Sequence, residues 1–142
     1  MAKISIANAI KLINPDARVS VDDNNYDTID GTTIRDYIHV SDLANAHVLT
    51  LEYLLEEQNN LLLNCGYGHG YSVKEILTAV NSFSDVPLNI NIDGRREGDA
   101  ATLISDSQMI REVLDWEPKY DNLHTIIKTA LDWERSLINK KQ

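Results

Sequence analysis

The stretch "TIRDYIHVSDLANAH", residues 33–47, places polar side chains inside what otherwise reads as an apolar strand. If residues 34–40 are extended, successive side chains point to opposite faces of the strand. One face then carries apolar side chains and a carboxylate, and the other carries a guanidinium, a phenol and an imidazole. The first set is Ile34, Asp36, Ile38 and Val40, and the second is Arg35, Tyr37 and His39.

The second face suits an anion attached to a ring. An arginine can bind a phosphate through two parallel hydrogen bonds, and Tyr37 can pack or hydrogen-bond beside it. The alternative is a solvated strand face on which Arg35 pairs with a neighbouring carboxylate, and periodicity taken by itself favours this alternative. Asp36 on the apolar face needs a partner, because a lone buried carboxylate is costly. We therefore expect Asp36 to be structural rather than catalytic.

Length and charge restrict the function classes. The 142 residues fit one domain, and 43% of them are apolar. With 22 acidic and 13 basic side chains, the net charge of -9 repels nucleic acid and anionic membranes. Cys65 is the only cysteine, and the four histidines are scattered, so we expect no disulfide, no metal site and a reducing compartment. Lacking a signal-peptide shape or an apolar run of about 20 residues, the chain is expected to be cytoplasmic and to bind no membrane.

Strand and helix patterns alternate along the chain, which predicts an α/β or mixed α+β fold. Two S-x-x-E/Q capping boxes, Ser72 with Glu75 and Ser105 with Gln108, predict helix starts. The other predicted elements are helices at 3–13, at about 42–57 and from about Asp121, and strands at 18–21, 61–64 and 87–92. Trp116 and Trp133 are expected to anchor a core or an interface.

The glycine-rich loop "CGYGHGY", residues 65–71, lies between a predicted strand and a helix, where dinucleotide sites begin. Its spacing does not fit, since Tyr71 stands where G-x-G-x-x-G requires a third glycine. A tight structural turn is therefore favoured over a phosphate cradle. His47 shares a helix face with Leu43 and Leu51, which predicts a packing histidine, and Cys65 is expected to be buried and inert.

The loop "RREGD", residues 95–99, has two interpretations. Its arginines can form surface ion pairs of little energetic value. They can also clamp a diphosphate, with Asp99 accepting hydrogen bonds from a ligand that carries hydroxyl groups. The second interpretation gains support if Arg35 points into the same cleft.

Four strings occur in an order that resembles a known family. They are "DGTTIRDYIHVSDLANAHVLTLEYL" (30–54), "LNCGYGHGYSVKEIL" (63–77), "RREGDAATLISDS" (95–107) and "LDWEPKY" (114–120). Together they resemble the C-terminal part of the UDP-glucose 4-epimerases, which are extended short-chain dehydrogenases/reductases. The similarity runs from about residue 25 to 135. The first string is the most specific, whereas the glycine loop and "RREGD" are shared more widely among nucleotide-sugar enzymes.

The resemblance implies that residues 1–142 form a single UDP-sugar-binding lobe, with a small sheet and four to five helices. In the family, NAD takes a hydride from C4 of the sugar and returns it to the other face, which interconverts UDP-glucose and UDP-galactose. By resemblance, Arg35 and Arg96 contact the diphosphate and Tyr37 lies against the nucleotide. Asp99 takes hydroxyl groups, most simply those of the ribose. Leu103 matches a position that lines the sugar and helps to set tolerance for N-acetyl groups.

The family's G-x-x-G-x-x-G and Tyr-x-x-x-Lys motifs do not occur in this sequence. The resemblance therefore implies no catalytic, cofactor-binding or metal-binding residue here, and activity only together with an NAD-binding Rossmann lobe absent from this chain. One alternative is a stand-alone or degenerate UDP-sugar-binding module without catalysis. Another is a lobe of a neighbouring sugar-nucleotide enzyme, against which "IRDYIHV" argues. Without a cofactor lobe the chain should expose an apolar patch, which predicts a dimer or larger homo-oligomer.

Overall fold

Strands and helices are interspersed along the chain. A computed structural model describes residues 19–22, 25–57, 59–83, 88, 90–93 and 98–139. The strands are β1 (Val19–Asp22), β2 (Ile34–Arg35), β3 (Tyr71–Ser72), β4 (Ile90–Asp93) and β5 (Thr102–Leu103). The helices are α1 (Val40–Glu57), α2 (Val73–Asn81), α3 (Gln108–Leu114) and α4 (Leu123–Asn139). The predicted mixed α/β class is confirmed, and the helix predicted at 3–13 lies outside the described residues.

Two small sheets organise the strands. β1 and β4 form a parallel pair in which Val19 lies opposite Ile90. The other sheet has the order β3-β2-β5, with β3 antiparallel and β5 parallel to the central strand β2. Its central strand carries the predicted site residue Arg35.

The helices pack into two cores. The α2–α4 core contains Val73, Ile76, Leu77, Ala79, Val80, Ile127 and Leu131, and the α1–α3 core contains Ala46, Tyr67, Ile110, Leu114, Trp116 and Ile126. The predicted stripe of α2 provides most of the first core, and Trp116 is buried in the second as expected. Trp133, in contrast, is 61% exposed on α4.

The capping box at the start of α2 is confirmed. The Ser72 hydroxyl accepts from the Glu75 amide at 3.1 Å, and the Glu75 carboxylate accepts from the Ser72 amide at 2.7 Å. The predicted second box is wrong. α3 begins after Ser107 without a side-chain cap, and the side chain of Gln108 donates to Glu112 at 2.7 Å instead.

The predicted alternation over residues 34–40 holds only at its start. The strand ends at Arg35 and α1 begins at Val40, so the backbone turns before a period of two can continue. His39 is therefore buried and Val40 is 73% exposed, the reverse of the predicted faces.

Two further predictions are corrected near α1. Residues 61–64 form no strand, since no described strand lies beside them, and Leu62 is 92% exposed. His47 is exposed rather than packed, and its Nδ1 lies 2.7 Å from the Leu43 carbonyl oxygen. The face of α1 that packs inward is centred on Ala46, and the side chain of the next residue points away from it.

Candidate functional site

Arg35 lies at the centre of the three-stranded sheet. It is opposite Tyr71 on β3 and opposite Leu103 on β5. The Asp36 amide donates to the Leu103 carbonyl at 3.3 Å, which continues the pairing of β2 with β5. Since residues directly opposite each other in a sheet point to the same face, this pairing places Leu103 beside the guanidinium.

The backbone holds one end of the Arg35 side chain. Its Nη1 donates to the Ile34 carbonyl at 2.8 Å and to the Ala101 carbonyl at 3.4 Å. No described carboxylate forms an ion pair with it, so the alternative of a charge-paired Arg35 finds no support in the described part of the chain. A guanidinium has five N–H donors, and those on Nε and Nη2 make no hydrogen bond to a described group. The half-buried guanidinium therefore keeps donors that no described group uses.

Tyr37 lies close to Arg35 and packs against the α2–α4 core. Burial raises the pKa of its phenol, and the nearby charge of Arg35 opposes this rise without cancelling it. The phenol therefore stays neutral around neutral pH. This neutral side chain lies near the Arg35 cation.

Two further predicted site residues, Asp99 and Leu103, belong to the described stretch 98–103, which ends with β5. Asp99 is half-buried and precedes Ala101, whose carbonyl accepts from the Ile34 amide at 2.8 Å. Leu103 is 63% exposed. The structure thus brings Arg35, Leu103 and the segment that carries Asp99 to one sheet. Arg96, like the neighbouring Arg95 and Glu97, lies outside the described residues.

The Asp36 carboxylate has hydrogen-bond partners, as predicted from its place among apolar side chains. Its carboxylate accepts from the backbone amides of Tyr67 at 3.1 Å, Gly68 at 3.0 Å and Ser105 at 3.4 Å. A Cβ on Gly66 would lie 2.5 Å from an Asp36 carboxylate oxygen, so the loop can approach this carboxylate only with glycine there. The prediction of a structural turn is confirmed. The loop amides already bind a carboxylate of the chain itself, which does not fit a dinucleotide cradle.

A buried carboxylate that the sequence did not reveal lies at the start of α1. Asp42 accepts from the backbone amides of Lys119 and Tyr120, each at 2.9 Å, and from the Tyr67 hydroxyl at 2.7 Å. Burial by itself raises the pKa of Asp42, but these hydrogen bonds outweigh it and the pKa is lowered. Burial, together with the hydrogen bond to Asp42, raises the pKa of Tyr67. The donors lie 25 to 78 residues away in sequence, so only an acidic residue near the start of a helix could have signalled this cluster.

His39 also serves the fold. Its Nδ1 accepts from the Ser41 amide at 3.0 Å, so the proton of the neutral ring is on Nε2, which lies 2.9 Å from the Thr129 hydroxyl. The ring stacks on Tyr120 with centroids 4.5 Å apart. His39 therefore links the start of α1 to α4, and it is buried instead of sharing an exposed strand face with Arg35 and Tyr37 as predicted.

Comparisons with known proteins find relatives that are similar in sequence and in fold. The chain is 51% identical over 112 residues to a UDP-glucose 4-epimerase from Azospirillum brasilense, a match that covers 79% of this chain and 32% of that protein. The structure of a UDP-Glc/GlcNAc 4-epimerase from Campylobacter jejuni superposes with a TM-score of 0.83 at 41% identity, over 96% of this chain and 42% of that one. The chain thus matches the C-terminal part of the UDP-glucose 4-epimerases in sequence and in fold.

A third relative shows the ligands that one such protein holds. UDP-glucose 4-epimerase from Bifidobacterium longum, solved in complex with NAD+ and UDP, superposes with a TM-score of 0.79 at 31% identity. That match covers 94% of this chain and 39% of the other. The chain spans about a third of the length of the curated epimerase from Azospirillum brasilense. No family model matches it.

The described residues offer neither a membrane-spanning helix nor a metal site. None of the described helices is long and apolar enough to cross a membrane. No group of three or more His, Cys, Asp or Glu side chains among them could hold a metal ion. Burial raises the pKa of the half-buried Cys65 thiol, so it is a poor nucleophile.

Proposed function

We propose that this chain holds the UDP-sugar in a UDP-glucose 4-epimerase, while NAD bound to another part of the enzyme takes a hydride from C4 and returns it. One observation carries the proposal. The Arg35 guanidinium is held by two backbone carbonyls, has no described carboxylate partner, and lies opposite Leu103. An arginine that is fixed at one end, and whose other donors have no described partner, is well suited to a diphosphate.

Each predicted residue has a role in this proposal. Arg35 donates hydrogen bonds to the diphosphate, and Arg96 supplies a second guanidinium. Tyr37 presents its neutral ring to the nucleotide, and Asp99 accepts hydrogen bonds from the ribose hydroxyls. Leu103 lines the sugar. The complex of the Bifidobacterium longum epimerase with NAD+ and UDP supports this choice of ligand.

We assign no hydride or proton transfer to residues of this chain. The sequence has no Tyr-x-x-x-Lys and no G-x-x-G-x-x-G, and the amides of the glycine loop bind Asp36. NAD would therefore be held by the Rossmann lobe of the complete enzyme. We further propose that the enzyme works in the cytoplasm, where the single cysteine would stay reduced.

The proposal is tested by titrating UDP into the chain and following the ligand by NMR. We expect weak binding, because a cleft that lies between two lobes is incomplete here. Arg35→Ala should weaken it roughly tenfold through loss of charge-assisted hydrogen bonds. Arg135→Ala is the matched control, since Arg135 is exposed on α4. Tight binding to the chain alone, or equal binding by Arg35→Ala, would contradict the proposal.

A stand-alone UDP-sugar-binding module is the second candidate, and the sequence does not separate it from the first. The two candidates separate when the chain is mixed with the part of the Azospirillum brasilense epimerase that it does not match, NAD and UDP-galactose. Formation of UDP-glucose supports the epimerase role. UDP binding without turnover supports the module.

A further inference from the structure

The Asp36 carboxylate joins three segments that are distant in sequence. It accepts hydrogen bonds from the Tyr67 and Gly68 amides of the glycine loop, which leads into β3, and from the Ser105 amide, which lies just after β5. Asp36 itself directly follows Arg35, the last residue of the central strand β2. One side chain therefore ties the glycine loop and the segment after β5 to the strand that carries Arg35.

Strand β5 has little pairing of its own to fix its position. It consists of two residues at the edge of the three-stranded sheet and pairs only with β2 among the described strands, which is short even for an edge strand. The Asp36 amide donates to the Leu103 carbonyl at 3.3 Å, and the Asp36 carboxylate accepts from the Ser105 amide at 3.4 Å. Asp36 thus holds β5 through its backbone at Leu103 and through its side chain two residues later.

The three segments are also closely packed where they meet. A Cβ on Gly66 would lie 2.5 Å from Asp36 Oδ2 and 2.5 Å from Ser105 Cβ, so the glycine loop comes close to both residues at once. Closely packed groups transmit a displacement of one to the others. Loss of the Asp36 carboxylate should therefore release the segment after β5 as well as the loop.

Arg35 and Leu103 are the residues whose spacing this contact controls, because they lie opposite each other in the pairing of β2 with β5. We propose that Asp36 is a positioning residue of the ligand site, which sets the spacing between the diphosphate contact and the sugar contact and thereby the preference for UDP-glucose over UDP. This inference rests on the proposed function, which gives Arg35 and Leu103 those two contacts. A binding site loses affinity when its contacts are held about 1 Å too loosely.

A purely structural role for Asp36 predicts a different result, and Asp42 provides the comparison. Asp42 also accepts two backbone amides and one further hydrogen bond, but its donors are Lys119, Tyr120 and the Tyr67 hydroxyl. None of these is a predicted site residue. Loss of either carboxylate should destabilise the fold, whereas only loss of Asp36 should change the relative affinities of two ligands.

The test measures the affinities of the full chain for UDP-glucose and for UDP by ligand-observed NMR. The variants are Asp36→Ala and Asp36→Asn, and Asp42→Asn is the control. Asp36→Asn is the milder variant in case Asp36→Ala fails to fold, since its side chain keeps one acceptor oxygen and replaces the other with a donor. Circular dichroism checks that each variant is folded. Hydrogen exchange of the Ser105 amide, measured without ligand, reports whether the segment after β5 has been released.

We expect the unmodified chain to bind UDP-glucose more tightly than UDP, and each Asp36 variant to reduce this ratio by about threefold or more. Exchange of the Ser105 amide should become faster in the same variants, and Asp42→Asn should change neither the ratio nor this exchange. The proposal is overturned if the Asp36 variants keep the ratio, if Asp42→Asn lowers it equally, or if the unmodified chain binds both ligands equally well. The unmodified chain also separates this proposal from the proposed function. If it binds neither ligand, the proposed function fails and this inference with it, whereas binding with an unchanged ratio in the Asp36 variants overturns this inference alone.

Discussion

Arg35 and Leu103 lie opposite each other in the parallel pair formed by β2 and β5. The two residues are 68 positions apart, and the pairing of two short strands is what makes them neighbours. In the proposed site this sets a guanidinium for the diphosphate beside a side chain for the sugar. The short β5 strand therefore has a larger role than its two residues suggest.

Leu103→Tyr should change the preference between sugars. A bulkier side chain at an exposed sugar-lining position should reduce the affinity for UDP-N-acetylglucosamine roughly tenfold relative to UDP-glucose. Ligand-observed NMR on the two nucleotide sugars measures this ratio. Val113→Tyr, at a partly exposed position of α3, should leave it unchanged. An unaltered ratio for Leu103→Tyr would remove Leu103 from the sugar site.

Tyr67→Phe should destabilise the fold. The Tyr67 hydroxyl donates to Asp42 at 2.7 Å and accepts from the buried His39 amide at 3.1 Å. Without it, the amide and the carboxylate each lose a partner, which should lower the free energy of unfolding by about 1–3 kcal/mol. Urea unfolding measures the change. Tyr53→Phe, at a half-buried position on α1, is the control and should change the free energy of unfolding by less than about 0.5 kcal/mol. If both variants change it equally, the Tyr67 hydroxyl is unimportant for stability.

Stability should fall in acid. Hydrogen bonds lower the pKa of both Asp30 and Asp42 in the fold, against the opposing effect of burial. An aspartate whose pKa is lower in the folded state stabilises the fold at pH values above its unfolded pKa, which is about 4. This stabilisation is lost as the pH falls through the pKa that the aspartate has in the folded state. The urea midpoint should therefore drop below about pH 4. Asp42→Asn should make the urea midpoint depend less steeply on pH, whereas Asp27→Asn should not. If the dependence is equally steep in Asp42→Asn, Asp42 is not a source of the acid sensitivity.

Gly66→Ala should loosen the glycine loop. The added Cβ would lie 2.5 Å from both Asp36 Oδ2 and Ser105 Cβ, so the loop must move away from them. This displacement should lower the free energy of unfolding by about 1–3 kcal/mol. Hydrogen exchange of the Tyr67 and Gly68 amides should become faster, since both donate to Asp36. Gly98→Ala puts its Cβ in open space at a φ of 86°, so it should strain the backbone without changing that exchange. Unchanged exchange in Gly66→Ala would refute the role given to the glycine.

Local signals in the sequence predicted local structure well. The Ser72 capping box and the apolar stripe of α2 depend on neighbours within a few turns, and both are confirmed. The need of Asp36 for a partner was predictable, but its donors come from 31 to 69 residues away, so they could not be named. The strand predicted at 61–64 did not form, because a strand requires a neighbour and the described part of the chain offers none. The site itself was inferred mainly from the resemblance, since Arg35 and Leu103 meet only through sheet pairing.

The central claim is that Arg35 binds the diphosphate, and comparing UDP with uridine tests it most directly. Uridine lacks the diphosphate, so the ratio of the two affinities isolates what the phosphates contribute. Ligand-observed NMR should show that the unmodified chain prefers UDP and that Arg35→Ala loses most of this preference while its uridine affinity stays the same. If Arg35→Ala keeps the preference for UDP, or weakens both ligands equally, Arg35 does not bind the diphosphate and the proposed site is wrong.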